Sequence, residues 1–269
     1  MMSEDLRVSL VQSELVWHDP EANRAAFAEK LDALQEQVDL VVLPEMFTTG
    51  FTMNPQQAAE VCHATESGLQ SDTIVWLQKQ AEKLDTAVCG SVAMQLGEGG
   101  AYVNRMLFVT PDGAVEHYDK RHLFRMANEH HHYQAGTERK VVEYRGWRIL
   151  LQVCYDLRFP VFSRNDNDYD LVLYVANWPE PRRMAWRTLL QARAIENYCY
   201  TIGVNRVGQD DNGMAYSGDS MAIDFKGDVV LDRTAGESFI EAVQLNKTEL
   251  NDFREKFPAW QDADAFELM

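Results

Sequence analysis

The stretch RILLQVCYDLR, residues 148–158, decides how the rest of the chain is read. Ile149 to Val153 is apolar at consecutive positions apart from Gln152, where a strand exposed on one face would alternate. Such a run fits a strand covered on both faces, as in the sheets of layered α/β proteins. The run gives way to a thiol, Cys154, followed by Tyr155 and Asp156. Strand ends are where α/β proteins place their sites.

Working outward, Val141 to Tyr144 and Arg148 to Val153 read as a strand pair turning near Gly146, and Leu171 to Ala176 as the next strand. A long helix is expected over Arg182 to Asn197. The strands Tyr200 to Asn205, Ser220 to Phe225, Val229 to Leu231 and Phe239 to Val243 follow, with a last helix near Lys247 to Lys256. Toward the N-terminus, Leu6 to Gln12, Leu40 to Leu43 and Thr86 to Ala93 read as strands. Glu21 to Gln37 has helical spacing, and Ser71 to Leu84 reads as a helix capped by Ser71 or Asp72. Tyr102 to Val109 and Ala114 to Tyr118 form a hairpin whose turn, Thr110-Pro111-Asp112-Gly113, has Pro and Gly where a type I turn favours them. Continuous apolar strands and hairpins together imply an α/β protein with mixed sheets. No repeat, linker or low-complexity stretch divides residues 1–269, so a single domain is expected.

A net charge of -17, from 42 acidic and 25 basic residues, argues against nucleic acid and against an anionic membrane surface. Cys62, Cys89, Cys154 and Cys199 form no Cys-x-x-Cys pair and are too few for a disulfide scaffold. No secretory signal and no membrane-spanning apolar run is read, so a reducing cytoplasm is the expected compartment. His130 to His132 are consecutive, and consecutive residues of a helix or strand do not converge on one ion, so no metal is expected. Asn246-Lys247-Thr248 matches a glycosylation sequon, which without a secretory signal is read as chance.

Three segments place a reactive group just past a strand: Glu45 in Leu43-Pro44-Glu45, Lys120 in Tyr118-Asp119-Lys120, and Cys154 in Val153-Cys154-Tyr155-Asp156. Taken singly, each has a plainer reading: a buried small hydrophobe for the thiol, a solvated or paired charge for the other two. Together, LPEMFTTGF (43–51), YDKRHLF (118–124) and CYDLRFP (154–160) resemble the nitrilase superfamily of carbon-nitrogen hydrolases, whose site is Glu, Lys and Cys in that chain order. Glu129, seven residues before Gly136 in EHHHYQAG, resembles the second glutamate of that family. PEMFTTGF, HLFRMANEHHHYQAG and VANWPEPRRMAWRTLLQARAIEN resemble bacterial omega-amidases in particular.

The resemblance implies a four-layer αββα sandwich, usually a homodimer, with the helix from Arg182 as the candidate interface. It implies hydrolysis of the terminal amide of a dicarboxylic acid monoamide of the 2-oxoglutaramate or 2-oxosuccinamate type, with no cofactor. Cys154 would be the nucleophile, Glu45 the base and Lys120 an oxyanion holder beside the backbone N–H of Tyr155, with Glu129 orienting Lys120 or the substrate. The far carboxylate would need a cation, for which Arg158, Arg182 and Arg183 are candidates. Trp178, Phe47 and Met126 are candidate apolar walls. A nitrilase or N-carbamoyl amidase using the same three residues is the alternative. A cysteine protease would pair its Cys with His, and no His lies in a matching motif.

Overall fold

Along Leu40–Val42 the side chains alternate between two cores. Leu40 and Val42 pack into one apolar cluster and Val41 into another. The same division separates Cys89 from Val88. A sheet with both faces apolar must be covered twice, and this requirement stacks the chain in layers.

The structure, a computed structural model, describes residues 5–66 and 68–264. Its strands are β1 (Asp5–Gln12), β2 (Leu40–Val42), β3 (Glu60–Thr65), β4 (Gly68–Gln70), β5 (Ala87–Leu96), β6 (Tyr102–Val109), β7 (Val115–Asp119) and β8 (Val141–Tyr144). They continue with β9 (Trp147–Val153), β10 (Leu171–Ala176), β11 (Tyr200–Asn205), β12 (Val207–Gln209), β13 (Ala215–Ser217), β14 (Met221–Ile223), β15 (Val229–Leu231) and β16 (Phe239–Asn246). The helices are α1 (Pro20–Asp32), α2 (Pro55–Ala58), α3 (Asp72–Leu84), α4 (Arg183–Asn197) and α5 (Lys247–Lys256).

One sheet runs β16-β1-β2-β5, with the β6–β7 hairpin on one edge of β5 and β3–β4 beyond β2 on the other. The second runs β15-β14-β11-β10-β9-β8. Leu6, Val8, Leu10, Met106 and Phe108 of the first sheet share a core with Ile149, Leu151, Leu173 and Ile202 of the second, so the sheets face each other. Helices α1 and α3 cover the outer face of the first through Phe27, Leu31, Ile74 and Leu77. Helix α4 packs on the second through Trp186, Leu190 and Ala194. The result is the αββα sandwich of mixed sheets. Among the described residues no helix is long and apolar enough to cross a membrane.

Local chemistry explains most element ends. Asp19 accepts the N–H of Ala22 ahead of Pro20, and Ser71 accepts that of Ile74. The β8–β9 hairpin turns on Arg145 and Gly146, both at positive φ (47° and 77°), as a two-residue turn of the I′ kind requires. Two expectations are corrected. Helix α1 ends at Asp32, not Gln37, because Asp39 must pair with Arg7 to set Leu40 opposite Val8. Strands β3, β4, β12 and β13 were not expected: they are short and largely polar, and edge or hairpin pairing holds them.

Asp170, at the head of β10, accepts from Arg148, Arg254 and Lys247 and so joins β9, β10 and α5. Burial would raise its pKa, but these hydrogen bonds and charges outweigh burial and hold it below the usual carboxylate range. A depressed folded pKa contributes stability that is present above the unfolded value, about 3.9, and lost as pH falls below it. Asp170→Asn should therefore destabilise the protein at pH 7, and the difference from wild type should shrink as denaturation is followed from pH 5 downward. At Gly203 in β11, an added Cβ would lie 2.5 Å from Leu190 and 2.7 Å from the fully buried Trp186 ring. Gly203→Ala should cost about 1–3 kcal/mol in chemical denaturation, by forcing α4 off the sheet.

Candidate active site

Strands β2, β5 and β7 run the same way, as do β9, β10 and β11, so each sheet brings several C-terminal ends to one edge. Glu45 follows β2 and Lys120 follows β7, while Cys154 follows β9 and Asn177 follows β10. The structure brings all four together, with Glu129 from the loop after β7.

Lys120 Nζ lies 2.9 Å from Glu45 Oε1 and 3.0 Å from both carboxylate oxygens of Glu129. All three side chains are completely buried. Asn104 Nδ2 donates to Glu45 Oε1 at 2.7 Å, and the backbone N–H of Asn177 donates to Oε2 at 2.7 Å. Glu129 Oε2 also accepts the N–H of Phe124, which ties the following loop to the charge cluster. Burial opposes the charge on Lys120, but Glu129 and Glu45 outweigh it and hold the ammonium more firmly protonated than usual. Burial, reinforced by the Glu45 charge and partly offset by Lys120, raises the pKa of Glu129.

Cys154 lies close enough to Glu45 and Lys120 for both charges to act on its thiol. Burial is the largest effect on its thiol and the neighbouring Glu45 the next; together they push its pKa well above the ordinary range, despite Lys120. These surroundings favour the neutral thiol beside a carboxylate able to act as its base. The other three cysteines are free and buried, and burial raises each of their pKa values as well.

Cys154 has φ +46°, a left-handed conformation costly for a residue with a Cβ. Asp156 holds that turn. Its carboxylate accepts the N–H of Val153 at 2.9 Å, the Tyr118 hydroxyl at 2.8 Å and the His122 N–H at 2.9 Å, and it bonds His122 Nδ1 at 2.7 Å. One buried carboxylate thus ties the turn bearing the thiol to the segment bearing Lys120. Tyr155 is the second residue of a 3-10 turn, where a backbone N–H has no acceptor within the turn.

A pocket of about 590 Å³ opens onto Cys154 and Lys120. Of the residues expected to bind substrate, Arg158, Trp178 and Arg182 line it. Arg158 stacks over the Trp178 ring at 4.9 Å and Arg182 over Phe124 at 5.2 Å; both are half-buried, and neither makes an ion pair among the described residues. Arg183 instead pairs with Asp219. Two wall assignments are corrected. Phe47 is packed in the core between α1 and α3, against Phe27 and Trp76, and Met126 is 79% exposed on a 3-10 turn that points outward. Phe51, Phe124 and Ala127 stand at the pocket instead. Its far wall has Trp17 and His18, from the loop before α1, and Tyr216, from β13, and none of the three lies in a motif. Asp210 also lines that wall, but it is engaged by the Tyr216 hydroxyl and the N–H groups of Asn212 and Met214.

A buried acid–base–thiol cluster on an αββα sandwich defines a class of hydrolytic enzyme, and sequence comparison places the chain within it. Residues 7–251 match the model of the carbon-nitrogen hydrolase family, and the chain belongs to that family. It is 51% identical to "Omega-amidase YafV" of Yersinia enterocolitica, over 98% of this chain and 99% of the relative. It is 31% identical to "2-oxoglutaramate amidase" of Bacillus subtilis, over 95% of this chain and 96% of that one. Among solved structures it resembles XC1258 of Xanthomonas campestris, a CN-hydrolase superfamily protein with an arsenic adduct in the active site. The TM-score is 0.91 at 47% identity, over 98% of this chain and 99% of the other.

The thiol's environment gives a direct test. Glu45→Gln removes the negative charge beside Cys154 and leaves Lys120 in place. The midpoint of Cys154 alkylation against pH, followed by mass spectrometry with a neutral reagent, should move to lower pH. A midpoint that stays put would show that burial alone sets the thiol.

Proposed function

We propose that this protein is an amidase that hydrolyses the terminal amide of a dicarboxylic acid monoamide through a thioester on Cys154. The observation that carries this reading is the buried Lys120–Glu45 pair beside Cys154, on a pocket whose wall holds two arginines with no ion-pair partner among the described residues.

The geometry supports a division of labour. Glu45 takes the thiol proton as sulfur attacks the amide carbon, then returns it to the nitrogen that leaves as ammonia. Lys120 and the Tyr155 N–H hold the tetrahedral oxyanion; one such donor is typically worth about 3 kcal/mol. Glu129 and Asn104 keep Lys120 and Glu45 in place. Water activated by Glu45 then opens the thioester. Arg158 and Arg182 receive the distal carboxylate, which accounts for an anionic substrate on a chain of net charge -17. The names of the relatives favour 2-oxoglutaramate as the amide.

Cys154→Ala should reduce ammonia release from 2-oxoglutaramate by at least about 10⁴-fold while leaving the melting temperature close to wild type. Retained turnover would remove Cys154 from the chemistry. Arg182→Ala should raise KM for 2-oxoglutaramate by about 10- to 100-fold, as loss of a charge-assisted hydrogen bond does. Hydrolysis of an uncharged amide such as butyramide should change little. Preference for an aliphatic nitrile or a carbamoyl amino acid over the monoamide would overturn the substrate assignment.

A further inference from the structure

Asn177 has a loose end. It follows β10, lines the pocket and is 4% exposed. Its backbone N–H donates to Glu45 Oε2, and its Nδ2 donates to the Glu45 carbonyl oxygen at 2.6 Å. That second bond fixes the orientation of the amide, since the flipped form would set two carbonyl oxygens against each other. Oδ1 therefore points away from the Glu45 carbonyl, and it is buried without a hydrogen-bond partner among the described residues. Asn104 also has a buried, unpartnered Oδ1, but Asn104 does not line the pocket. A buried acceptor left unmatched destabilises a fold, and such atoms are few in native proteins.

We infer that Asn177 Oδ1 accepts a hydrogen bond from the –NH2 of the substrate amide and holds it through departure as ammonia. The inference rests on the amidase reading given above. As the Cys154 Sγ–carbon bond forms, the thiol proton passes to Glu45. As the carbon–nitrogen bond breaks, that proton passes from Glu45 to nitrogen, whose lone pair must face the carboxyl. A primary amide nitrogen also carries two N–H donors, and a protonated Glu45 directs a donor, not an acceptor, at that nitrogen. Asn177 is held to Glu45 by two hydrogen bonds, so an acceptor on it keeps fixed register with the acid. Anchoring one N–H there turns the lone pair toward the Glu45 proton.

An ester of the same acid tests this, because its departing oxygen carries no N–H. Hydrolysis of succinamate and of monomethyl succinate would be compared in wild type, Asn177→Ala and Asn177→Ser, with melting temperature as the folding check. Loss of the Nδ2 bond to the Glu45 carbonyl slows both substrates alike, so the ratio of amide to ester kcat/KM isolates Oδ1. The expected result is a ratio lowered at least about tenfold in whichever variants fold, the size of one hydrogen bond to a developing charge. Equal losses on the two substrates would overturn the inference and leave Asn177 a support for Glu45. Wild type that hydrolyses neither substrate would overturn the amidase reading itself, and this inference with it.

Discussion

The Lys120 ammonium, 2.9 Å from Glu45 and 3.0 Å from Glu129, is buried with both carboxylates, and this end of the molecule is arranged around that fact. A buried ion pair is a weak source of stability, since desolvation cancels most of the attraction. Removing one member is costly, because the others are left uncompensated. The cluster is better understood through its charge. With both carboxylates ionised and the thiol neutral, it carries one net negative charge. When the thiol proton moves to Glu45 and an oxyanion forms beside Lys120, the sum is unchanged. The proposed chemistry moves charge among fixed partners and creates none in a medium that would resist it.

Holding such partners in register has a conformational cost. Cys154 itself, Met46 next to Glu45, and Asn128 next to Glu129 all have positive φ, and none is a glycine. Residues in that region persist only where the surroundings determine them strongly. Asp156 does this for Cys154, and Ser91 does it for Met46 by accepting its N–H. Both supports are completely buried, and Ser91 lies on β5.

The layers were legible in the sequence where apolar runs were long: β1, β5, β6, β9, β10 and β11 fall within a few residues of expectation. Glu45, Lys120 and Cys154 were legible because each sits in a motif just past a strand and the three follow a family's order. Asn104, Asp156 and Asn177 were not, because an Asn or Asp in a strand or turn is ordinary and their importance lies in contacts across 34 to 132 positions. The misplacement of Phe47 has a related cause. It lies two residues from Glu45, but Met46 between them is left-handed, which turns the ring back into the core. Proximity along the chain does not say where a side chain points. Arg158 and Arg182 needed the same information, and for them the structure supplied a pocket.

The division of the site between the two sheets bears on how the molecule is made. Glu45, Asn104 and Lys120 belong to the first sheet and Cys154 and Asn177 to the second. The bonds that join them span as many as 132 residues of chain. A folding species with either sheet formed and the two undocked has helices and strands in plenty and half a site. Recovery of reactivity at Cys154 during refolding therefore reports the arrival of one sheet on the other, an event that a far-ultraviolet spectrum passes over.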